Sequence, residues 1–153
     1  MTSKIEAFPR ITGSISIVCS GYVIVDVVRN PKKRKESVYH RVMVGLSASD
    51  IIFSITWILT TLPMPAGHLP SSIGTLRSCD AVGFLNLLSS ISTSMYNCSL
   101  ATFYLYQLKK NLPQSKMKQK EKWLLIAPWV PGMIAAIIGL ATDSYGPYNI
   151  ICM

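Results

Sequence analysis

Val42-Met43-Val44-Gly45-Leu46-Ser47-Ala48-Ser49-Asp50-Ile51-Ile52-Phe53-Ser54-Ile55-Thr56-Trp57-Ile58-Leu59-Thr60-Thr61-Leu62 is a run of 21 residues with one charge, at Asp50. A helix needs roughly 20 mostly apolar residues to cross ~30 Å of hydrocarbon, with about 17 as a lower limit. Three more stretches reach that length. Ile11 to Val28 is uncharged apart from Asp26, while Ala81 to Leu108 and Trp123 to Thr142 carry no charge at all. Only 14% of the 153 residues are charged and 50% are hydrophobic, against about a quarter charged in soluble domains. Pro and Gly interrupt the first and fourth stretches, which membrane helices tolerate. No stretch alternates like a barrel strand. The expected fold is therefore all-α, a transmembrane helix bundle in one domain spanning 1–153. Its helices are expected at about 9–29, 39–63, 79–109 and 121–142.

Orientation follows from the basic residues. Arg29, Lys32, Lys33, Arg34, Lys35 and Arg41 flank or fill the first loop, at about 30–38. Lys109, Lys110, Lys116, Lys118, Lys120 and Lys122 do the same for the third, at about 110–120. Together they are twelve of the fifteen Lys and Arg, and both loops lie on one side. The loop at about 64–78 holds a single one, Arg77. The positive-inside rule places the basic loops in the cytosol and the N-terminus outside. The loop at about 64–78 and the segment 143–153 then lie outside too. Attraction of these basic residues to anionic lipid is sufficient to account for them. A cytosolic partner is the functional alternative. Pro31-Lys32-Lys33-Arg34-Lys35 lies about a turn beyond a membrane helix, which argues against nuclear import and nucleic acid.

The first apolar run follows Lys4 and Arg10 but has no small-residue cleavage site behind it, so it reads as a retained helix. No phosphate-binding Gly loop, His-Glu-x-x-His, Gly-x-Ser-x-Gly or Cys-x-x-Cys is present. His40 and His68 fall on opposite sides of the membrane and cannot share a metal. Nothing argues for an enzyme or a cofactor, and no catalytic residue is expected.

The informative residues are polar ones within the helices. Asp50 lies near mid-membrane, where an ionisable side chain costs at least ~2.5 kcal/mol and should face protein. It is either a protonated, hydrogen-bonded structural acid or an ion or proton site. Asp26 lies within a turn of Arg29 and reads as an interface residue. The third helix carries Asn86, Ser89, Ser90, Ser92, Thr93, Ser94, Asn97, Ser99 and Thr102 around most of its circumference, so it should be central. Asn97-Cys98-Ser99 matches a glycosylation sequon but lies within the membrane. Gly132, Ala135, Ala136 and Gly139 form a small-residue stripe that allows close helix contact.

At these residues the chain resembles a known family. Leu46-Ser47-Ala48-Ser49-Asp50 is similar to the second-helix signature of G-protein-coupled receptors. Cys79 opens the third helix as in those receptors, Trp129 lies in the fourth, and Cys152 stands where the second outer loop carries its partner cysteine. The wider pattern comprises Val38-Tyr39-His40-Arg41, Leu46 to Ser54, Pro63-Met64-Pro65-Ala66-Gly67, Gly83-Phe84 and Tyr96-Asn97-Cys98-Ser99-Leu100. It resembles the rhodopsin-like and cyclic-AMP-receptor-like receptors of unicellular algae such as diatoms.

The resemblance implies helices one to four of a seven-helix signalling receptor in the plasma membrane, ending before helix five. It also implies a heterotrimeric G protein as partner of a full-length version, through the basic loops. Asp50 is expected to point into the bundle towards the third helix, with Thr93 or a neighbouring hydroxyl within hydrogen-bond reach. A sodium ion at Asp50 with Thr93 follows from the resemblance. So does a Cys79–Cys152 disulfide on the oxidising outer face, leaving Cys19 and Cys98 as buried thiols. Two departures stand out. Gly21-Tyr22 occupies the usual Gly-Asn position, and Phe103-Tyr104-Leu105 the usual Asp-Arg-Tyr, so no arginine is there to engage a G protein. The alternative is a four-helix membrane scaffold or transporter subunit with a structural Asp50. A transporter should show internal repeats, and helices one and two do not match three and four.

Overall fold

The computed structural model describes residues 2–30, 38–59, 62, 65, 73–110, 121–142, 144–145, 147–148 and 151–152. It is a helix bundle. The helices are α1 (Thr2–Arg29), α2 (Val38–Ile58), α3 (Leu76–Lys110) and α4 (Trp129–Ala141). A helical lead-in at 121–126 and a turn at 127–128 precede α4. The two-residue strands β1 (Pro147–Tyr148) and β2 (Ile151–Cys152) pair antiparallel. The basic loops fall largely outside the described residues.

Local chemistry sets several of these limits. α1 begins upstream of the apolar run and continues through Pro9. Proline removes an intrahelical donor, and here the Thr12 hydroxyl donates to the Phe8 carbonyl at 2.9 Å. Thr75 caps α3. Its backbone N–H donates to Ser78 Oγ at 2.8 Å, and the Ser78 N–H returns to Thr75 Oγ1 at 3.3 Å. This reciprocal pair satisfies two donors that a helix start leaves open. At the other end of the bundle, Pro128 and Pro131 explain the turn before α4. Neither can donate to the carbonyl four residues back, and the Val130 N–H bonds to Ala127 instead.

α1 packs on α2, α2 on α3, and α3 on α4, with β2 resting on α3. Burial is inverted relative to a protein in water. Ile11, Ile15, Val18, Ile134, Ile137, Ile138 and Leu140 are exposed, while Ser47, Ser49, Ser54, Thr56, Asn86, Ser89 and Ser92 are buried. Lipid tails are as apolar as leucine, so large side chains gain nothing by leaving them, and small residues collect where helices touch. The chain is an integral membrane protein.

Three helical spans are long and apolar enough to cross a membrane: Ala7–Arg29, Val38–Ile58 and Glu121–Ala141. The sequence alone pointed to four. α3 has 35 residues, which at 1.5 Å per residue is about 50 Å, but it is too polar to qualify by composition. Its serines and asparagines are accommodated because α2 and α4 cover it on two sides.

The α3–α4 contact depends on one missing side chain. A Cβ at Gly132 would lie 2.7 Å from the Leu88 carbonyl oxygen and 2.9 Å from Ser92 Oγ. Backbone cannot yield to such a contact as a flexible side chain could. Gly132→Val should therefore destabilise the bundle by about 1–3 kcal/mol, the usual cost of overpacking. Gly21→Ala should cost nothing, because no atom lies within 4 Å of the added carbon. Thermal unfolding of the two variants in the same detergent checks this, and equal midpoints would contradict it.

Candidate functional site

Asp50 faces protein, but its partners are not on α3. Its Oδ2 accepts hydrogen bonds from Ser16 Oγ at 2.7 Å and Ser20 Oγ at 2.6 Å, both on α1. Thr93 Oγ1 instead donates to Ser49 Oγ at 3.2 Å. The expected turn of Asp50 towards α3 and Thr93 is thus corrected. One helical step separates Ser49 from Asp50, which is enough to point one at α3 and the other at α1. Asp50 and Thr93 thus bond to different helices, Asp50 to α1 and Thr93 to α2. Tyr22, in place of the usual asparagine, is 75% exposed and points away. Ser16 and Ser20 hold the acid in its stead. Their spacing of four on an apolar helix was a legible sign of a shared face.

A second constellation ties α2, α3 and the start of α4. The Tyr96 ring sits where Gly45 has no side chain, and a Cβ there would lie 2.7 Å from the ring. The Tyr96 hydroxyl donates to the Leu125 carbonyl and accepts from Trp129 Nε1, each at 2.8 Å. The two rings meet edge-on, with centroids 6.4 Å apart. Around Tyr96 the buried apolar residues are Val38, Val42 and Phe103.

The third lies at the α2 N-terminal rim. Arg41 forms an ion pair with Glu121 of the lead-in, and Glu121 is buried. Beside them Tyr39, Phe103 and Tyr104 form an aromatic cluster with centroids 5.7 to 6.1 Å apart. Where the resemblance places an arginine, the chain has this cluster, and its ion pair runs from α2 to residue 121. The pairing itself was not legible in the sequence, since 80 residues separate its two ends. Asp26, also near this rim, accepts from Asn30 Nδ2 at 3.1 Å.

At the opposite end, Gly83, Asn86, Leu87, Ser90, Ser144 and Tyr145 line a recess of about 230 Å³. Tyr145 folds back onto α4, donating to the Ala136 carbonyl at 2.8 Å, and Gly139 leaves the room for it. Burial raises its phenol pKa above the usual value. Cys79 is fully buried. The Cys152 side chain lies outside the described residues. Cys19 and Cys98 are free, and both are exposed on helix surfaces rather than buried as expected. Asn97 of the sequon is exposed too, its amide bonded to the Thr93 carbonyl at 3.1 Å.

Against known proteins, the chain is 27% identical over 144 residues to "Ascaroside receptor GPR3" of Arthrobotrys oligospora. The likeness is to a receptor. It covers 93% of this chain but 35% of that protein, so the chain spans about a third of the relative's length. No family model matches, and neither does any solved structure.

Two measurements test these contacts. In a double-mutant cycle of Tyr96→Phe and Trp129→Phe, the coupling should be about 0.6–1.7 kcal/mol, the range for interhelical hydrogen bonds in membranes. Arg41→Ala should lower the unfolding temperature more than Glu121→Ala. The first strands a buried carboxylate, whereas the second leaves a part-exposed guanidinium that reaches water along its stem. The reverse order would show that Glu121 is solvated.

Proposed function

We propose that the chain is the four-helix amino-terminal part of a seven-helix, G-protein-coupled receptor that signals from the plasma membrane rather than catalysing a reaction. The observation that carries this reading is the likeness to a receptor across nearly the whole chain. The uncovered side of α3 supports it. Ser94, Asn97 and Thr102 are exposed there and, among the described residues, bond only to carbonyls four residues back in their own helix. Such a stripe in hydrocarbon calls for further helices against it.

In that receptor the N-terminus lies outside, from the charge asymmetry of the loops. The recess at Asn86, Ser90 and Tyr145 then opens outward, with amide and hydroxyl groups beside Leu87. It suits a small ligand with hydrogen-bonding groups and an apolar part, and ascarosides are the first probes because of the relative's name. Cys79 pairs with Cys152. Cys19 and Cys98 are free, and β2, which contains Cys152, packs on α3. The bond anchors the segment after α4 beside the recess. Coupling at the opposite face has to work without an arginine at residue 104, and the Arg41–Glu121 pair is a charged contact at that rim.

A longer product carrying three more hydrophobic segments, expressed with a G-protein activation reporter, tests the reading. Ascaroside-dependent activation that falls at least about tenfold in potency for Asn86→Leu, a loss of 1.4 kcal/mol, is the expected outcome. A longer product without those segments would reject it. Non-reducing peptide mapping should join Cys79 to Cys152 and leave Cys19 and Cys98 alkylatable.

A further inference from the structure

α1 and α2 enclose a crevice of about 350 Å³ along the N-terminal half of α1 and the C-terminal half of α2. It is separate from the recess at Asn86. Asp50 and Ser16 line its deep end, and Phe8, Phe53 and Trp57 supply its aromatic walls. Two polar groups on these lining residues are incompletely used. Both serine hydroxyls bond to Oδ2 of Asp50, and Oδ1 has no partner among the described residues. The Trp57 Nε1–H is buried and likewise has no partner among them. Phe53 and Trp57 meet edge-on at 5.9 Å.

These features specify a ligand. A carboxylate in a low-dielectric setting is satisfied by a cation, and aromatic faces within about 6 Å add cation–π attraction. An orphaned indole N–H is satisfied by an acceptor oxygen. Seven residues of helix separate Asp50 from Trp57, about 10 Å, so one small molecule can reach both. The volume lies within the ordinary range for small-ligand sites, about 300–1,000 Å³.

We propose that this crevice binds a small aromatic ammonium, its cation against Asp50, its ring among the aromatic walls and an ether or hydroxyl oxygen at Trp57. The turn of Asp50 away from Thr93 is what presents the acid to this side. The site does not rest on the receptor reading, since it needs only α1 and α2.

The test is calorimetric titration of the full chain in nanodiscs of phosphatidylcholine, a lipid without net charge. The probe is 4-methoxyphenethylammonium, and its neutral twin is 4-methoxyphenethyl alcohol. Saturable binding of the ammonium, at least about tenfold tighter than the alcohol (1.4 kcal/mol), is expected. Asp50→Asn should abolish that preference. Trp57→Phe should weaken the methoxy probe about three- to tenfold but leave unsubstituted phenethylammonium unchanged. That comparison decides the matter if Asp50→Asn fails to fold. Equal binding of the alcohol means bilayer partitioning and overturns the proposal. So does full ammonium binding by a folded Asp50→Asn variant, an equal effect of Trp57→Phe on both ammonium probes, or no saturable binding. Sodium alone competing, without ammonium binding, overturns it in favour of a metal-ion site. Each result is independent of whether a longer product activates a G protein.

Discussion

The Tyr96 ring lying in the hollow of Gly45 is the contact that holds three helices in one arrangement. A bundle in lipid receives no hydrophobic drive to bring its helices together, so close packing and interhelical hydrogen bonds must do it. Tyr96 supplies both. Its ring fills the space that glycine leaves on α2, and its hydroxyl reaches the Leu125 carbonyl and the Trp129 indole beyond α3. The break around Pro128 matters to this arrangement, because it sets the lead-in and α4 at the level of Tyr96. Gly132 against Leu88 repeats the device two turns of α3 away.

With those contacts fixed, the polar residues sort into distinct tasks. Ser47, Ser49 and Ser92 are small enough to let helices approach and are buried for that reason. Asp50 with Ser16 and Ser20 joins α1 to α2 through charge-assisted or neutral donor–acceptor pairs. Arg41 and Glu121 close the rim above the aromatic cluster of Tyr39, Phe103 and Tyr104. The last arrangement bears on how the helices can move. A chain with Tyr104 where an arginine is usual has its rim charge on α2, and a movement of α4 against α2 would have to separate that pair.

The two hollows differ in the chemistry they offer. The recess beside Tyr145 presents an amide and hydroxyls from α3 and the segment after α4. The α1–α2 crevice presents a carboxylate and three aromatic rings. The first favours neutral hydrogen-bonding ligands and the second favours cations, so one molecule has no reason to choose both.

The membrane class, the helical fold and the protein-facing orientation of Asp50 were legible in the amino-acid sequence. Length, hydropathy and the cost of a mid-membrane acid depend on composition and local order alone. The small-residue stripe at Gly132 and Ala136 was legible for the same reason, since a helix puts residues three and four apart on one face. The partner of each polar group was not legible. Whether Asp50 meets α1 or α3 depends on a rotation of α2 of about 100° per residue, which only the packing of Tyr96 on Gly45 fixes. Arg41 and Glu121 are 80 residues apart, and Gly45 gives no local sign that a tyrosine ring belongs beside it. Sequence determined the solvent and the elements. The tertiary structure decided which faces meet, because interhelical contacts depend on the orientation of two elements and not on the composition of either.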